Sequence, residues 1–322
     1  MKNKLLKEDI IAKIIKDLDI QNTDASTIVE KAIQGGETKI NDIDSWYAER
    51  FRPNIINIDT EGYTKMCVDA LKILNSTAAT DYGTSRQRDL GQLWGDMTRG
   101  YLGEYAFQIF LKNKFNIESE LDHTQGELKN YLSLDVHKIR KNDEEFRAPN
   151  IKIGIKTTKL NGIWLDITGQ QFFHSDIHVF VKIGASRDHL FAFFKSLSVF
   201  KDKVLPKGIQ AGSITVEEAD ELYNSLPSFS NIPAYICGFV DSRYQYEELS
   251  YEGIKKTKNY TITGWNGPYF PDNINKIKQI ECPNGSVKFE GIGEFSNGQR
   301  YLFNTGKLKW KNDCWQEIIN SI

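Results

Sequence analysis

Apolar residues recur at helical spacing near the start of the chain. Leu5, Leu6, Ile10, Ile11, Ile14, Ile15 and Leu18 predict one amphipathic helix, and Ile28, Val29 and Ala32 predict a second, capped by Thr23 or Asp24. A third helix is expected around Tyr63 to Leu74, followed by a polar connector from Asn75 to Arg88. Between Thr98 and Lys112 the stripe of Leu102, Tyr105, Ala106, Ile109 and Phe110, widened by Phe107 and Leu111, predicts a largely buried helix. The period then drops to two. Leu132, Leu134 and Val136 alternate with Ser133, Asp135 and His137, and Ile151, Ile153 and Ile155 alternate with Lys152, Gly154 and Lys156. An Asn161-Gly162 turn leads to a strand at Ile163 to Ile167, and further strands are expected at Ile177 to Ile183, Leu190 to Phe194 and Ala234 to Val240, with a helix at Val216 to Leu226. From about Lys255 the short aromatic and Gly/Asn-rich segments predict a small β-rich unit. The texture divides the chain into a helical region at 1–80, a core at 81–254 and a β-rich region at 255–322.

With 322 residues, a net charge of −2 and 40% hydrophobic residues, the composition is that of a globular protein able to bury a sizeable core. It excludes fibrous and disordered classes. No run approaches the roughly 18 apolar residues of a membrane span, and the N-terminus lacks the layout of a secretion signal, so no membrane partner and a cytoplasmic location are expected. Cys67, Cys237, Cys282 and Cys314 form no CxxC pair, which leaves reduced, packed thiols. Charge is segregated: Asp135 to Lys159 holds seven basic and four acidic residues, whereas Ser213 to Glu252 holds eight acidic and one basic. The acidic stretch reads as a solvated face. The chain has no GxxxxGK[ST], GxGxxG or GxSxG, so nucleotide-driven translocation, dinucleotide binding and serine-hydrolase chemistry lack support.

Alternation places Asp135 opposite Leu134 and Val136, and Lys156 opposite Ile153 and Ile155. If the two strands neighbour one another in a sheet and the helix carrying Glu104 packs beside them, two carboxylates and a lysine converge. Phosphodiester hydrolysis uses such a set. Mg2+ takes oxygen ligands and keeps several waters, so one or two carboxylates suffice; Glu104, Asp135 and the Ile155 carbonyl are the expected ligands and Lys156 serves the attacking water.

The segments LGEYAFQIFL, LSLDVHKI and IKIGIKTTKLNGIWLDI resemble the PD-(D/E)XK nuclease superfamily, and within it the type II restriction endonucleases. The resemblance covers roughly residues 95 to 185. It implies an α/β (α+β) core with a mixed central sheet flanked by helices, to which the patterning adds a helical N-terminal region and a small β-rich C-terminal region, and it implies cleavage of double-stranded DNA. It also implies Mg2+ as cofactor, with Mn2+ as a substitute, a homodimer, and a cognate DNA methyltransferase that protects the host. Asp135 matches the first acid of the motif and Lys156 its lysine. Residue 154 departs from the family: Gly stands where Glu or Asp is usual, and Glu104 is the expected replacement, with Asp143, Glu144 and Glu145 as alternatives. Thr157, Thr158, Lys159, Arg86, Arg88 and Arg99 are candidate phosphate contacts. His137, Asp166, His174 and Asp176 match no ligand spacing and are read as structural or surface groups. The rival expectations are a structure-specific repair or mobile-element nuclease of the same fold, and a non-catalytic DNA-binding protein. The N-terminal and C-terminal regions are candidates for DNA contact, and the N-terminal one also for dimerisation.

Overall fold

The computed structural model describes residues 2–74, 89–121, 134–142, 144–185, 189–228, 231–244, 246, 250–292 and 298–322. Two helices open the chain, α1 (Lys2–Leu18) and α2 (Asn22–Gln34), followed by a short α3 (Ile43–Ser45) that continues into a π-helical turn, Trp46–Phe51. Then come β1 (Ile55–Asp59), α4 (Thr60–Ile73), the long α5 (Leu90–Phe115), β2 (Ile117–Leu121), β3 (Val136–Lys141), β4 (Ile153–Lys159), β5 (Trp164–Thr168), α6 (Gly169–Phe172) and β6 (Ile177–Ile183). Three helices follow, α7 (His189–Ser196), α8 (Leu205–Gln210) and α9 (Val216–Ser225), and then β7 (Asn231–Asp241). The chain closes with β8 (Ser250–Lys256), β9 (Asn259–Tyr269), α10 (Pro271–Glu281), β10 (Ser286–Phe289), β11 (Arg300–Asn304) and α11 (Asn312–Ser321). The fold is a mixed α+β arrangement.

Its strands form three sheets: β1-β7-β6-β4, β10-β9-β11-β5 with β8 paired to β9, and the two-stranded β2-β3. The second sheet is mixed, since β10 runs parallel to β9 while β11 and β8 run antiparallel to it. Contacts divide the chain into one unit of Met1–Ile56, Gly103–Lys182 and Ala234–Ile322, and another of Asn57–Leu102 and Ile183–Pro233.

In the larger unit, pleat alternation serves two cores. Leu165 and Ile167 of β5, with Tyr301 and Phe303 of β11, pack with Ile10, Ile14 and Leu18 of α1 and Ile28 and Val29 of α2. On the other side Trp164 and Leu302 join Trp265, Tyr269 and Phe289. The N-terminal helices therefore share a core with strands from the middle and the end of the chain. In the same way the β-rich end shares a sheet with β5, whose register pairs Leu165 with Phe303. The three consecutive sequence segments and the two compact units thus cut the chain differently. The smaller unit is held by Tyr63 and Phe193, ring centroids 5.2 Å apart, and by the Trp94 indole N–H donating to the Cys67 carbonyl at 2.9 Å.

Several local expectations are corrected. Leu190 to Phe194 lies in α7, not a strand: the run LFAFF lacks β-branched residues, and a short apolar stretch has no periodicity to separate strand from helix. Helix α2 starts after Gln21, without a side-chain cap from Thr23 or Asp24. The C-terminal region also holds α10, opened by Pro271, and α11, whose buried face is Trp315, Ile318 and Ile319. Among the described residues, no helix is long and apolar enough to cross a membrane.

Candidate active site

The site assembles on β4. This strand ends the first sheet, next to β6, and buries Ile153, Gly154 and Ile155. Asp135 precedes β3 by one residue, so it is a bend residue and not a strand residue as expected. β3 pairs with β2, and β4 belongs to another sheet, which corrects the expectation that these strands neighbour one another. The two segments are joined instead by a side chain: the Asp135 carboxylate Oδ2 accepts the backbone N–H of Ile155. A strand at a sheet end has backbone groups to satisfy, and a carboxylate is a strong acceptor for one. Asp135 and the residue preceding Lys156 are thereby brought into contact.

Helix α5 reaches β4 through Gly103. A Cβ at Gly103 would lie 2.0 Å from Thr157 Oγ1, so only glycine permits this approach. Glu104, the next residue, is half-buried. The contact falls on Thr157, and alternation puts Thr157 with Ile153 and Ile155 on one face of β4 and Lys156 with Gly154 and Thr158 on the other. Glu104 is thus carried to β4 by a helix seated against the Thr157 face of the strand. Among the described residues no group of three or more His, Cys, Asp or Glu is placed to hold a metal. Gly103→Ala is expected to cost about 1–3 kcal/mol by overpacking, more than the roughly 1 kcal/mol gained in helix propensity. A urea melt measures this, and a variant as stable as the parent would show that α5 does not press on β4.

The Lys156 face is filled by residues the sequence did not single out. Lys156 Nζ donates to Gln171 Oε1 at 3.1 Å. At position 154 a Cβ would stand 2.8 Å from Ser175 Oγ and 2.9 Å from His178 Nδ1, so the place where the family carries its second acid is occupied by these two side chains. His178 is 1% exposed. Its Nε2–H donates to the Phe172 carbonyl at 2.9 Å, because a carbonyl can only accept, and this leaves the lone pair on Nδ1, for which no partner exists among the described residues. Burial pushes the imidazole pKa down to about 4 against the opposing Phe172 hydrogen bond, with Lys156 and His174 nearby adding to the lowering. His178 is therefore neutral near pH 7. Because its folded pKa lies below the unfolded value of 6.5, its stabilising contribution is complete above pH 6.5 and is lost as pH falls toward 4, by roughly 3 kcal/mol. Urea melts of the parent and of His178→Phe at pH 7 and pH 4.5 should show a steeper loss in the parent; parallel losses would remove His178 as the cause.

A signal for both buried groups of β6 was present in IHVFVKI, where His178 and Lys182 interrupt an otherwise apolar strand.

The remaining candidates are dispersed. Thr158 packs on Gly162, whose Cβ would lie 2.5 Å from Thr158 Cγ2, and the Asn161-Gly162 turn closes with Gly162 N–H on the Lys159 carbonyl at 2.9 Å. Lys159 is exposed at the end of β4. Arg99 lies in the smaller unit and pairs with Asp96 at 3.1 Å, one helical turn away. Arg86, Arg88, Leu132 and Asp143 lie outside the described residues; Glu144 and Glu145 are exposed. Asp166 pairs with Arg300 across β5 and β11, and Asp176 Oδ2 accepts Lys152 N–H at 2.6 Å, so each is used in holding strands. No protein-family model, curated protein or solved structure matches this chain.

Proposed function

We propose that the protein is a Mg2+-dependent endonuclease of double-stranded DNA, acting in the manner of a type II restriction enzyme. The hydrogen bond from Ile155 N–H to the Asp135 carboxylate carries this proposal, because it joins the two parts of the motif across twenty residues of sequence. The donor set suits a hard cation: the Asp135 carboxylate and the Ile155 carbonyl are both hard oxygen ligands. Asp135, Ile155 and, from α5, Glu104 would hold the ion, which supplies charge neutralisation and an acidified water. Lys156 donates to the attacked phosphate or its water, and Gln171 keeps the ammonium in place through its amide oxygen. Thr157, Thr158 and Lys159 continue the strand toward the backbone of bound DNA. A homodimer and a protecting methyltransferase belong to this proposal.

One observation favours a second function. With Ser175 and His178 filling the place of the acid at Gly154, a DNA-binding protein that has lost cleavage fits the same strand. Incubating the purified protein with unmethylated phage DNA separates them. Discrete fragments with Mg2+ that vanish in EDTA support the endonuclease; binding without cutting, in Mg2+ and in Mn2+, supports the second function; neither binding nor cutting sinks both.

A further inference from the structure

A second polar centre lies around the π-helical turn, Trp46–Phe51. A cavity of about 280 Å3 is lined by Glu37, Asp42, Trp46, Glu49, Arg50 and Trp310, among others. Its size lies just below the roughly 300–1,000 Å3 usual for small-molecule sites. The floor is charged and dry. Glu37 and Lys182 form an ion pair at 2.6 Å with side-chain exposures of 0% and 3%. The Glu37 carboxylate also accepts from Tyr235 Oη at 3.0 Å and from the Trp46 indole N–H at 3.2 Å, so its acceptor positions are taken.

Arg50 is the group left over. It is 2% exposed, and its Nη2 donates to the Cys237 and Thr305 carbonyls at 3.1 and 2.7 Å. Its Nε has no partner among the described residues. The guanidinium lies 5.2 Å from the centre of the Trp310 ring. Glu37 and Lys182 neutralise each other, so Arg50 leaves the floor with one uncompensated positive charge and an N–H to donate. Asp42, Glu49 and Lys39, all exposed, add two carboxylates and one ammonium to the lining.

A ligand for this cavity must accept a hydrogen bond at depth and donate toward the rim. A simple anion meets Asp42 and Glu49, and a simple cation meets Arg50. A small zwitterion satisfies the charges but offers no flat face to the half-buried Trp310 ring that lines the cavity. A nucleobase carrying a carbonyl beside an amino group satisfies all three: arginine donates to base carbonyls, carboxylates accept from base amino groups, and aromatic rings stack on base faces. We infer that this cavity binds one guanine or cytosine base, with the carbonyl on Arg50 and the amino group toward Asp42 and Glu49. The base can come from a free nucleoside or from a nucleotide turned out of a DNA helix.

The test uses the full chain in EDTA, so that it is independent of cleavage and of the β4 site. Calorimetric titration with deoxyguanosine and deoxycytidine is compared with thymidine and deoxyinosine, which lack the amino group. A duplex carrying an unpaired guanine or cytosine forms the second arm. Because replacing buried Arg50 disturbs the core, the decisive variants are the exposed Asp42→Asn and Glu49→Gln. Binding of the amino-bearing base, as nucleoside or in the duplex, weakened at least tenfold by either variant and by removal of the amino group, supports the inference, and the arm that binds identifies the source. Absence of saturable binding in both arms at millimolar nucleoside, or binding indifferent to both variants, overturns it.

Discussion

Lys182→Met is expected to lower the unfolding free energy by about 3–5 kcal/mol, the usual cost of leaving a buried charge without its partner. The cost falls on Glu37. Burial pushes its carboxyl pKa up, but Lys182 and Arg50 outweigh this and hold it down at about 2. Methionine fills the lysine stem and removes the ammonium, so the carboxylate must either stay ionised in a dry site or take up a proton. Double replacement separates the lost pair from the stranded charge. Glu37→Gln with Lys182→Met leaves no unpaired carboxylate and should be less destabilised than Lys182→Met alone. Linkage adds a second readout: with a folded pKa near 2 against 4.5 unfolded, the stabilisation from Glu37 is complete above pH 4.5 and disappears as pH falls toward 2. Urea melts at pH 7 and pH 3 check both. A loss below about 1 kcal/mol for Lys182→Met would show that the pair is solvated, contrary to its burial.

The second large effect is on the proposed DNA cleavage. Lys156→Ala is expected to reduce the rate by at least about a hundredfold while DNA affinity changes little, since a single ammonium aimed at the reacting phosphate acts mainly in the transition state. Asp135 needs more care because the proposal gives it a second duty beside its hydrogen bond to Ile155. Asp135→Ala strands the Ile155 N–H and costs about 1–3 kcal/mol of stability in addition to any loss of chemistry. Asp135→Asn keeps a carbonyl acceptor for that N–H and removes only the charge. Loss of cleavage in Asp135→Asn, with an unchanged melting curve, assigns Asp135 to catalysis. Retained cleavage in both Asp135→Asn and Lys156→Ala places the chemistry elsewhere.

Much of the secondary structure was legible because its periods are clean. β6 runs from Ile177 to Ile183 as expected, and α9 and β7 lie within a few residues of their expected ends. Sheet membership was not legible. Strands β3, β4 and β5 follow one another and alternate alike, yet each takes its partner from a different sheet. Alternation records which residues face a core and says nothing of which strand lies alongside. The same limit explains the site. Asp135 and Lys156 were visible as polar residues in alternating apolar segments, but the bond that the Ile155 backbone N–H donates to Asp135 has no side-chain signature on the donor strand. Gly154 was visible only as a missing acid. That glycine is required there by Ser175 and His178 depends on two residues more than twenty positions onward. Helix α7 was misread where pattern was shortest.

The pairing of β5 with β11 also sets the order in which the protein can be made. Thr168 at the end of β5 pairs with Arg300, and β11 lies between β5 and β9. At about 5–20 residues per second of translation, β5 leaves the ribosome on the order of ten seconds before its partner is synthesised. During that interval Leu165 and Ile167 lack the strand that closes their core, and an unpaired apolar edge recruits other chains. The most vulnerable stage in the life of this protein is thus late synthesis, when the N-terminal helices are complete and the strand that seals them to the sheet has yet to emerge.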